Sequence, residues 1–292
     1  MIEYTISKND SNIRIDKFLF KATTAPSSLI YKTFRKKDVK VNGKWVREDY
    51  LLSENDVVRI FISEEFKAKK KYSLCPLEAK IEYEDENIIV FNKGANLPCQ
   101  PDAKHKNGTL SDMLKSYLYE KGEYDFENEN SFSPALCNRI DTNTTGLVIG
   151  AKNAAALREM NFLIKTRQVS KYYKCRVEGK VLKDHDDIKA FIVKDEKTNI
   201  SKIESDGKPV SMKYWVTGFF EKETELEILL NTGRSHQIRA YFASIGHPLV
   251  GDKKYGAQKG GGQILCSYRL VFDFNDDYRG ILSYLNGKEI KI

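Results

Sequence analysis

In Met1-Ile2-Glu3-Tyr4-Thr5-Ile6 the apolar side chains recur at every second position, the period of a half-buried strand. A helical pattern follows over Asp16 to Ala22, and a second is expected after Ser27 and Ser28, read as its caps. Val41-Asn42-Gly43-Lys44-Trp45-Val46 then reads as a hairpin, because Asn42 and Gly43 both tolerate positive φ at the turn. Val57 to Ile62 closes this small unit as a strand. The run Glu64-Glu65-Phe66-Lys67-Ala68-Lys69-Lys70-Lys71 has no period and reads as a charged connection.

Beyond it, short β-rich runs predominate: Ile88 to Phe91, Leu147 to Ala151, Tyr173 to Val177, Val210 to Val216 and Leu226 to Leu230. Helical spacing interrupts them after Ser111 (Leu114, Tyr117, Leu118), after Asn153 (Leu157, Met160, Ile164), and from about Ser235 to Ser244, stopped by Gly246. Strands outnumber helices and do not alternate with them, so a mixed α+β sheet is expected rather than a doubly wound one. A second, larger domain should begin near Ser73. Lys259-Gly260-Gly261-Gly262 reads as a flexible loop, since no phosphate-binding glycine pattern accompanies it.

Length agrees with this division, because 292 residues at about 150 per domain suggest two. No apolar run reaches the ~18 residues of a membrane span, and the N-terminus lacks the basic and apolar regions of a signal peptide, so a cytoplasmic protein without membrane partners is expected. Cys75, Cys99, Cys137, Cys175 and Cys266 are odd in number and widely spaced, which predicts reduced thiols. Four histidines, none at ligand spacing, leave little for a metal site, and none is expected.

Charge changes the picture by its location. The formal net charge is +7, and residues 14–47 alone sum to +8. Within that segment Arg14, Lys17, Lys32, Arg35, Lys36 and Lys37 are the candidate contacts to an RNA backbone, because one small unit carrying nearly all the imbalance is the footprint of a phosphate partner. A solvated surface is the bland alternative. A membrane surface fits less well, since the cluster spans several short elements rather than one amphipathic helix.

Two segments are denser in polar groups than a core needs: Asn138-Arg139-Ile140-Asp141-Thr142-Asn143-Thr144-Thr145-Gly146-Leu147, and Thr232-Gly233-Arg234-Ser235-His236-Gln237-Ile238-Arg239 with Gly246-His247-Pro248-Leu249-Val250-Gly251-Asp252. Taken singly, the first could be an Asx-turn at Asp141 and the second a helix start with His236 in its first turn. Together they resemble the His-Arg-Leu-Asp-x-x-Thr-Ser-Gly-Leu and Thr-Gly-Arg-Thr-His-Gln-Ile-Arg motifs of RluA-type RNA pseudouridine synthases. Lys171-Tyr172-Tyr173 through Gly179 resembles their Lys-x-Tyr strand, and Arg14-Ile15-Asp16-Lys17-Phe18-Leu19 through Val41-Asn42-Gly43 is similar to the RNA-binding domain named after ribosomal protein S-four.

The resemblance implies an α+β protein: an S-four-like domain over 1–65, a linker over 66–73, and a catalytic domain over 74–292 on a mixed, mainly antiparallel twisted sheet with flanking helices. It implies a cofactor-free isomerase that converts uridine in structured RNA to pseudouridine by base flipping, with ribosomal RNA the first candidate, transfer RNA the second, and a monomer as the default. Asp141 corresponds to the catalytic aspartate and Arg239 to the arginine pairing with it. Tyr173 corresponds to the ring lying against the target base, Arg139 to the side chain filling the space of the flipped nucleotide, and Leu265 to an apolar pocket wall. Asn138 stands where the family usually has His, and Cys266 where Leu265 would be followed by His. The segment Asn92-Lys93-Gly94-Ala95-Asn96-Leu97-Pro98-Cys99-Gln100-Pro101 follows the family's Asn-Lys-Pro-x-Gly-Leu-x-x-His-Pro only loosely. Two rivals remain at this point: a non-catalytic RNA-binding or ribosome-assembly factor, and a hydrolase using Asp141 and His236.

Overall fold

A computed structural model describes residues 1–68, 74–127, 129–258 and 260–292. The expected linker from Lys69 onward, the boundary at Ser73 and the loop residue Lys259 lie outside the described residues.

The N-terminal strands β1 (Ile2–Thr5), β2 (Val39–Val41), β3 (Lys44–Trp45) and β4 (Val57–Ile60) form an antiparallel sheet in the order β1-β4-β2-β3. The alternation in β1 has its expected effect: Ile2 and Tyr4 face inward, Glu3 and Thr5 outward. Helices α1 (Ile15–Ala22) and α2 (Ser27–Arg35) share one core with the sheet through Ile15, Phe18, Leu19, Ile30 and Phe34. Ser27 and Ser28 are not caps. The carbonyl of Pro26 accepts from the amides of Leu29 and Ile30, which draws both serines into the first helical turn. Asn42 and Gly43 take φ of 51° and 81°, the pair of positive values the predicted turn requires. Phe66 and Lys67 stay with this unit: the carbonyl of Phe66 accepts from Thr24, and Lys67 bridges Thr23.

The rest of the chain contributes β5 (Lys80–Glu84), β6 (Ile88–Lys93), α3 (Leu110–Glu120), β7 (Ala135–Leu136), β8 (Thr145–Ala151), α4 (Ala154–Lys165), β9 (Val169–Glu178), β10 (His185–Asp195), β11 (Ile200–Ile203), β12 (Lys208–Phe219), β13 (Glu223–Leu230), α5 (Gln237–Ser244), β14 (Leu265–Phe272) and β15 (Glu289–Lys291). Among the described residues eleven strands form one sheet, in the order β11-β10-β12-β13-β9-β14-β8-β6-β5 with β7 and β15 attached beside it. Every pairing is antiparallel except β8 with β14. This is the mixed α+β sheet expected from the sequence.

Both faces of the sheet centre are covered, so its strands read as apolar runs without alternation. Ile89, Phe91 and Val148 join α3 and α5 in one core, while Ile88, Val90, Leu147 and Ile149 join α4 in another. Asn153 caps α4 as expected, accepting from Ala156 at 2.8 Å. Helix α3 starts earlier than Ser111, because Thr109 and Asp112 close a capping box ahead of it. No described helix is long and apolar enough to cross a membrane.

The two units meet through buried polar groups. The fully buried carboxylate of Asp10 accepts from the amide and hydroxyl of Ser131, and Asn9 accepts from Ala154, the first residue of α4, at 3.0 Å. Asn130 in turn donates to the carbonyl of Thr5 at 3.2 Å.

The parallel pair sets a tight constraint. Gly146 has φ of +105°, and a Cβ there would lie 2.2 Å from the carbonyl oxygen of Ser267 on β14. Both the dihedral and the contact demand glycine. Gly146→Ala should destabilise the chain by at least about 3 kcal/mol, seen as a lower urea midpoint with an unchanged m-value.

Candidate active site

Asp141 lies in the loop between β7 and β8, and three separate restraints shape that loop. The carbonyl of Asp141 accepts from the amide of Thr144 at 3.0 Å, closing a turn. Thr144 is buried and its hydroxyl accepts from Gln263 at 2.7 Å. Thr142 is held from below by Lys93, at the end of β6, whose ammonium donates to the carbonyls of Gly94, Leu97 and Thr142 at 2.8, 2.8 and 2.9 Å. Lys93 is wholly buried, and burial pulls its pKa down to about 8. A cation enclosed without a carboxylate in direct contact is unusual, and three carbonyl dipoles are what solvate it here.

Helix α5 presents Arg239 to the same place. One nitrogen of its guanidinium donates to Asp141 Oδ2 at 2.9 Å, and its other edge grips Asp252 with bonds of 2.6 and 2.9 Å. Burial opposes this charge, but the two carboxylates outweigh burial and hold Arg239 above its ordinary pKa. Asp252 is enclosed, whereas the Asp141 side chain keeps 28% of its surface open to solvent. Gly251 makes the approach of Asp252 feasible, since it has φ of +83° and a Cβ there would lie 2.0 Å from the carbonyl oxygen of Gly262. The start of α5 is fixed by Gln237, which accepts from the Thr232 hydroxyl at 2.9 Å and the Arg234 amide at 3.2 Å and donates to Ser211 on β12 at 3.2 Å. The polar residues of this segment therefore mostly build the turn that aims Arg239.

His236 is not in the first turn of α5. It stands at the cap in a left-handed conformation, φ 54°, with no capping bond. Its Nδ1 lies 2.9 Å from the Tyr255 hydroxyl, and its Nε2 lies 3.9 Å from Asp141 Oδ2. Burial, then the nearby Arg239 and Lys254, depress its pKa against the pull of Asp141, so the ring is neutral at neutral pH. Tyr255 also stacks under Arg239, ring centre 4.8 Å from the guanidinium carbon, and accepts from the Ser201 amide at 2.9 Å.

Tyr173 sits mid-strand on β9, only 5% exposed, between Ile228 of β13 and Ser267 of β14. Burial raises its pKa, and the nearby charge of Asp141 adds to the rise. Leu265 is buried at the start of β14, in the same core as Tyr173 and Ile140. Arg139 is exposed and donates to Gln100 at 3.0 Å, so it stands at the rim beside the Cys99-Gln100 segment. Asn138 is structural here: its side-chain oxygen accepts from the Ile149 amide at 2.8 Å and ties the approach loop to β8. Among the described residues no group of three or more His, Cys, Asp or Glu side chains is placed to hold a metal ion, and all five cysteines are free thiols.

Of the expected site residues, Asp141 and Arg239 are in direct contact, Tyr173 and Leu265 are buried in the core that also holds Ile140, and Arg139 is exposed. The basic residues expected to meet RNA all lie on the N-terminal unit. Arg14 is already engaged by Asp16 at 2.9 Å, while Lys32, Arg35, Lys36 and Lys37 are exposed. Lys93, Asp252 and Tyr255 were not singled out from the sequence as site residues. Asp252 closed a quoted motif, but nothing in its spacing shows that it grips Arg239.

The site thus joins Asp141, Arg239 and Asp252 in one hydrogen-bonded chain on a mixed sheet, and comparison with known proteins gives its family. A family model described as RNA pseudouridylate synthase matches residues 87–244. The chain is 33% identical to the uncharacterized RNA pseudouridine synthase of Mycoplasma capricolum, covering 99% of this chain and 97% of that one. It is 31% identical to ribosomal large subunit pseudouridine synthase C of Haemophilus ducreyi, over 87% and 79% of the two chains. In fold it resembles human RNA Pseudouridylate Synthase Domain Containing 1, with a TM-score of 0.55, 21% identity, and 70% and 82% of the chains covered. The chain belongs to the RNA pseudouridylate synthase family and is an isomerase of RNA uridine.

Lys93 makes a separate test of the loop. Lys93→Met would orphan three carbonyls while removing a buried charge, a net loss of roughly 2 kcal/mol, with a lower kcat and little change in RNA affinity. The sign of its pH effect is definite. Its folded pKa of about 8 is below the ordinary 10.5, so the unfolded chain binds more protons between these values and this group makes stability rise with pH across that window. Urea titrations at pH 7.5 and 10 should show that rise attenuated in Lys93→Met.

Proposed function

We propose that Asp141 is the catalytic group of a pseudouridine synthase acting on ribosomal RNA. The observation that carries this reading is the carboxylate itself: partly open, 2.9 Å from a buried guanidinium that a second carboxylate holds in place. In the isomerisation the bond from ribose C1′ to N1 of uracil breaks and a bond from C1′ to C5 forms. The C5 hydrogen leaves as a proton, and N1 takes one up. A nucleophilic or charge-stabilising carboxylate suits this step without an activating base, since Asp is ionised at neutral pH in its ordinary state.

The target uridine must leave its stack to reach a cleft of this kind, at a cost of a few kcal/mol. Arg139, at the rim, is placed to enter the vacated space. Tyr173 and Leu265 form the apolar floor under the extruded base, and neutral His236, held by the Tyr255 hydroxyl, lies beside Asp141. The basic N-terminal unit anchors the RNA backbone through Lys17, Lys32, Arg35, Lys36 and Lys37, with Arg14 contributing less because Asp16 shares its charge. Ribosomal RNA is favoured because three relatives carry the name ribosomal large subunit pseudouridine synthase C and a fourth the corresponding D.

Asp141→Asn should abolish turnover, at least a thousandfold or about 4 kcal/mol of transition-state stabilisation, while RNA affinity stays within about threefold. Mapping pseudouridine in total RNA from cells with the gene intact, deleted or carrying that substitution checks it. A ribosomal position lost in both altered strains supports the reading, and purified protein that leaves unmodified ribosomal RNA unchanged defeats it. Replacing Lys32 and Lys36 together by Ala should lower the slope of log affinity against log salt by about 0.7–0.9 for each phosphate that is no longer neutralised.

A further inference from the structure

The N-terminal unit carries a cleft of about 540 Å³, lined by Tyr31, Phe34, Arg35, Lys37, Trp45, Arg47 and Glu48, between α2 and the β2–β3 hairpin. Its chemistry differs from that of a plain basic face. Trp45 is 42% exposed and Tyr31 39%, so two flat rings stand in water among cations. Arg35, Lys37 and Arg47 are exposed, and none of them enters a salt bridge among the described residues.

The cleft is also held in shape without a ligand. The indole N–H of Trp45 donates to the Phe34 carbonyl at the end of α2 at 3.3 Å, a second bond to an oxygen that also accepts from the Lys37 amide. Helix α2 closes with the paired bonds of a Schellman turn, Lys37 amide to Phe34 carbonyl and Asp38 amide to Thr33 carbonyl. The left-handed position in that turn is one where glycine is free of strain, yet Lys37 occupies it with φ of 62°. The result is an ammonium 5.5 Å from the centre of the Trp45 ring. A strained lysine that fixes a cation over an exposed indole is an outlier with a consequence for binding.

We propose that this cleft takes one unpaired nucleotide of the RNA: its base stacks on Trp45, and its phosphates lie against Arg35 and Arg47. Stacking on an exposed ring beside cations is how unpaired nucleotides are held, and a base paired inside a duplex cannot present its face. Glu48, the lone carboxylate of the cleft, repels phosphate and accepts from a base edge, which favours guanine with its adjacent N1–H and N2–H donors over uracil. The inference rests on the RNA-binding reading above and adds what that unit recognises: a looped-out or single-stranded residue, with guanine preferred.

The test uses the full-length protein with Trp215→Phe, leaving Trp45 as the one indole reporter. It is titrated with a single-stranded hexanucleotide containing guanines, with hexauridylate, and with a blunt RNA duplex of equal phosphate count, while turnover on ribosomal RNA is measured in parallel. The expected result is quenching by the guanine strand, with affinity at least fivefold above hexauridylate and tenfold above the duplex. Read by anisotropy of an end-labelled strand, which needs no indole, Trp45→Leu should weaken the guanine strand 5- to 100-fold without changing the salt slope, Trp45→Phe should restore most of the loss, and Glu48→Gln should erase the preference for guanine. Equal binding of duplex and single strand, or Trp45→Leu binding like its parent, overturns the cleft while turnover leaves the isomerase reading standing. Absence of both RNA binding and turnover overturns both.

Discussion

The site depends on one buried guanidinium shared between two carboxylates. Arg239 is taken out of water at the expense of its hydration, which is tolerable only because each donating edge meets an acceptor. Asp252 takes two of those bonds and is itself enclosed, so it fixes the arginine and leaves a single nitrogen directed at Asp141. With Lys93 beneath the loop, the cluster brings together two cations and two carboxylates. The one carboxylate with an open side is Asp141, and the surrounding backbone serves that exposure: Gly251 brings Asp252 in, Gln237 aims α5, and Gly146 lets β8 lie against β14.

Much of this fold is legible in the amino-acid sequence. Asn42-Gly43 marked a turn that needs two positive φ values, Asn153 marked a helix start, and the β-rich runs marked strands. Those signals are local, so they survive in sequence. Strand β10, with His185, Asp186, Asp187 and Lys189 near its start, carried too many charges to read as a strand, because one of its faces is open to solvent. Ser27 and Ser28 looked like caps, but a carbonyl from Pro26 did the work of a side chain. In the site, the Asp141 and Arg239 pairing followed from resemblance alone. The grip of Asp252 on Arg239 and the bonds of Lys93 to three carbonyls join residues far apart in the chain or depend on loop shape, and no spacing encodes them.

The contrast between Asn138 and Asp141 separates fold from chemistry within one loop. Asn138 replaces the family's usual His, yet its amide oxygen meets a backbone amide of β8, and the approach to Asp141 is held without an imidazole. The departure therefore falls on bracing rather than on the groups facing the cleft.

The joint between the two units has a consequence for how long an RNA must be. Asp10 is buried against Ser131, and Asn9 against the first turn of α4, so the basic surface of the N-terminal unit and the proposed Asp141 site are presented as one body rather than as two on a tether. Two contacts on a rigid body act with a high effective concentration for an RNA that spans both, and with none for a fragment that reaches only one. The enzyme would thus behave as a length gauge. Shortening the RNA should leave affinity nearly constant until the span is lost and then drop it in a single step, where a flexible tether would give a gradual decline.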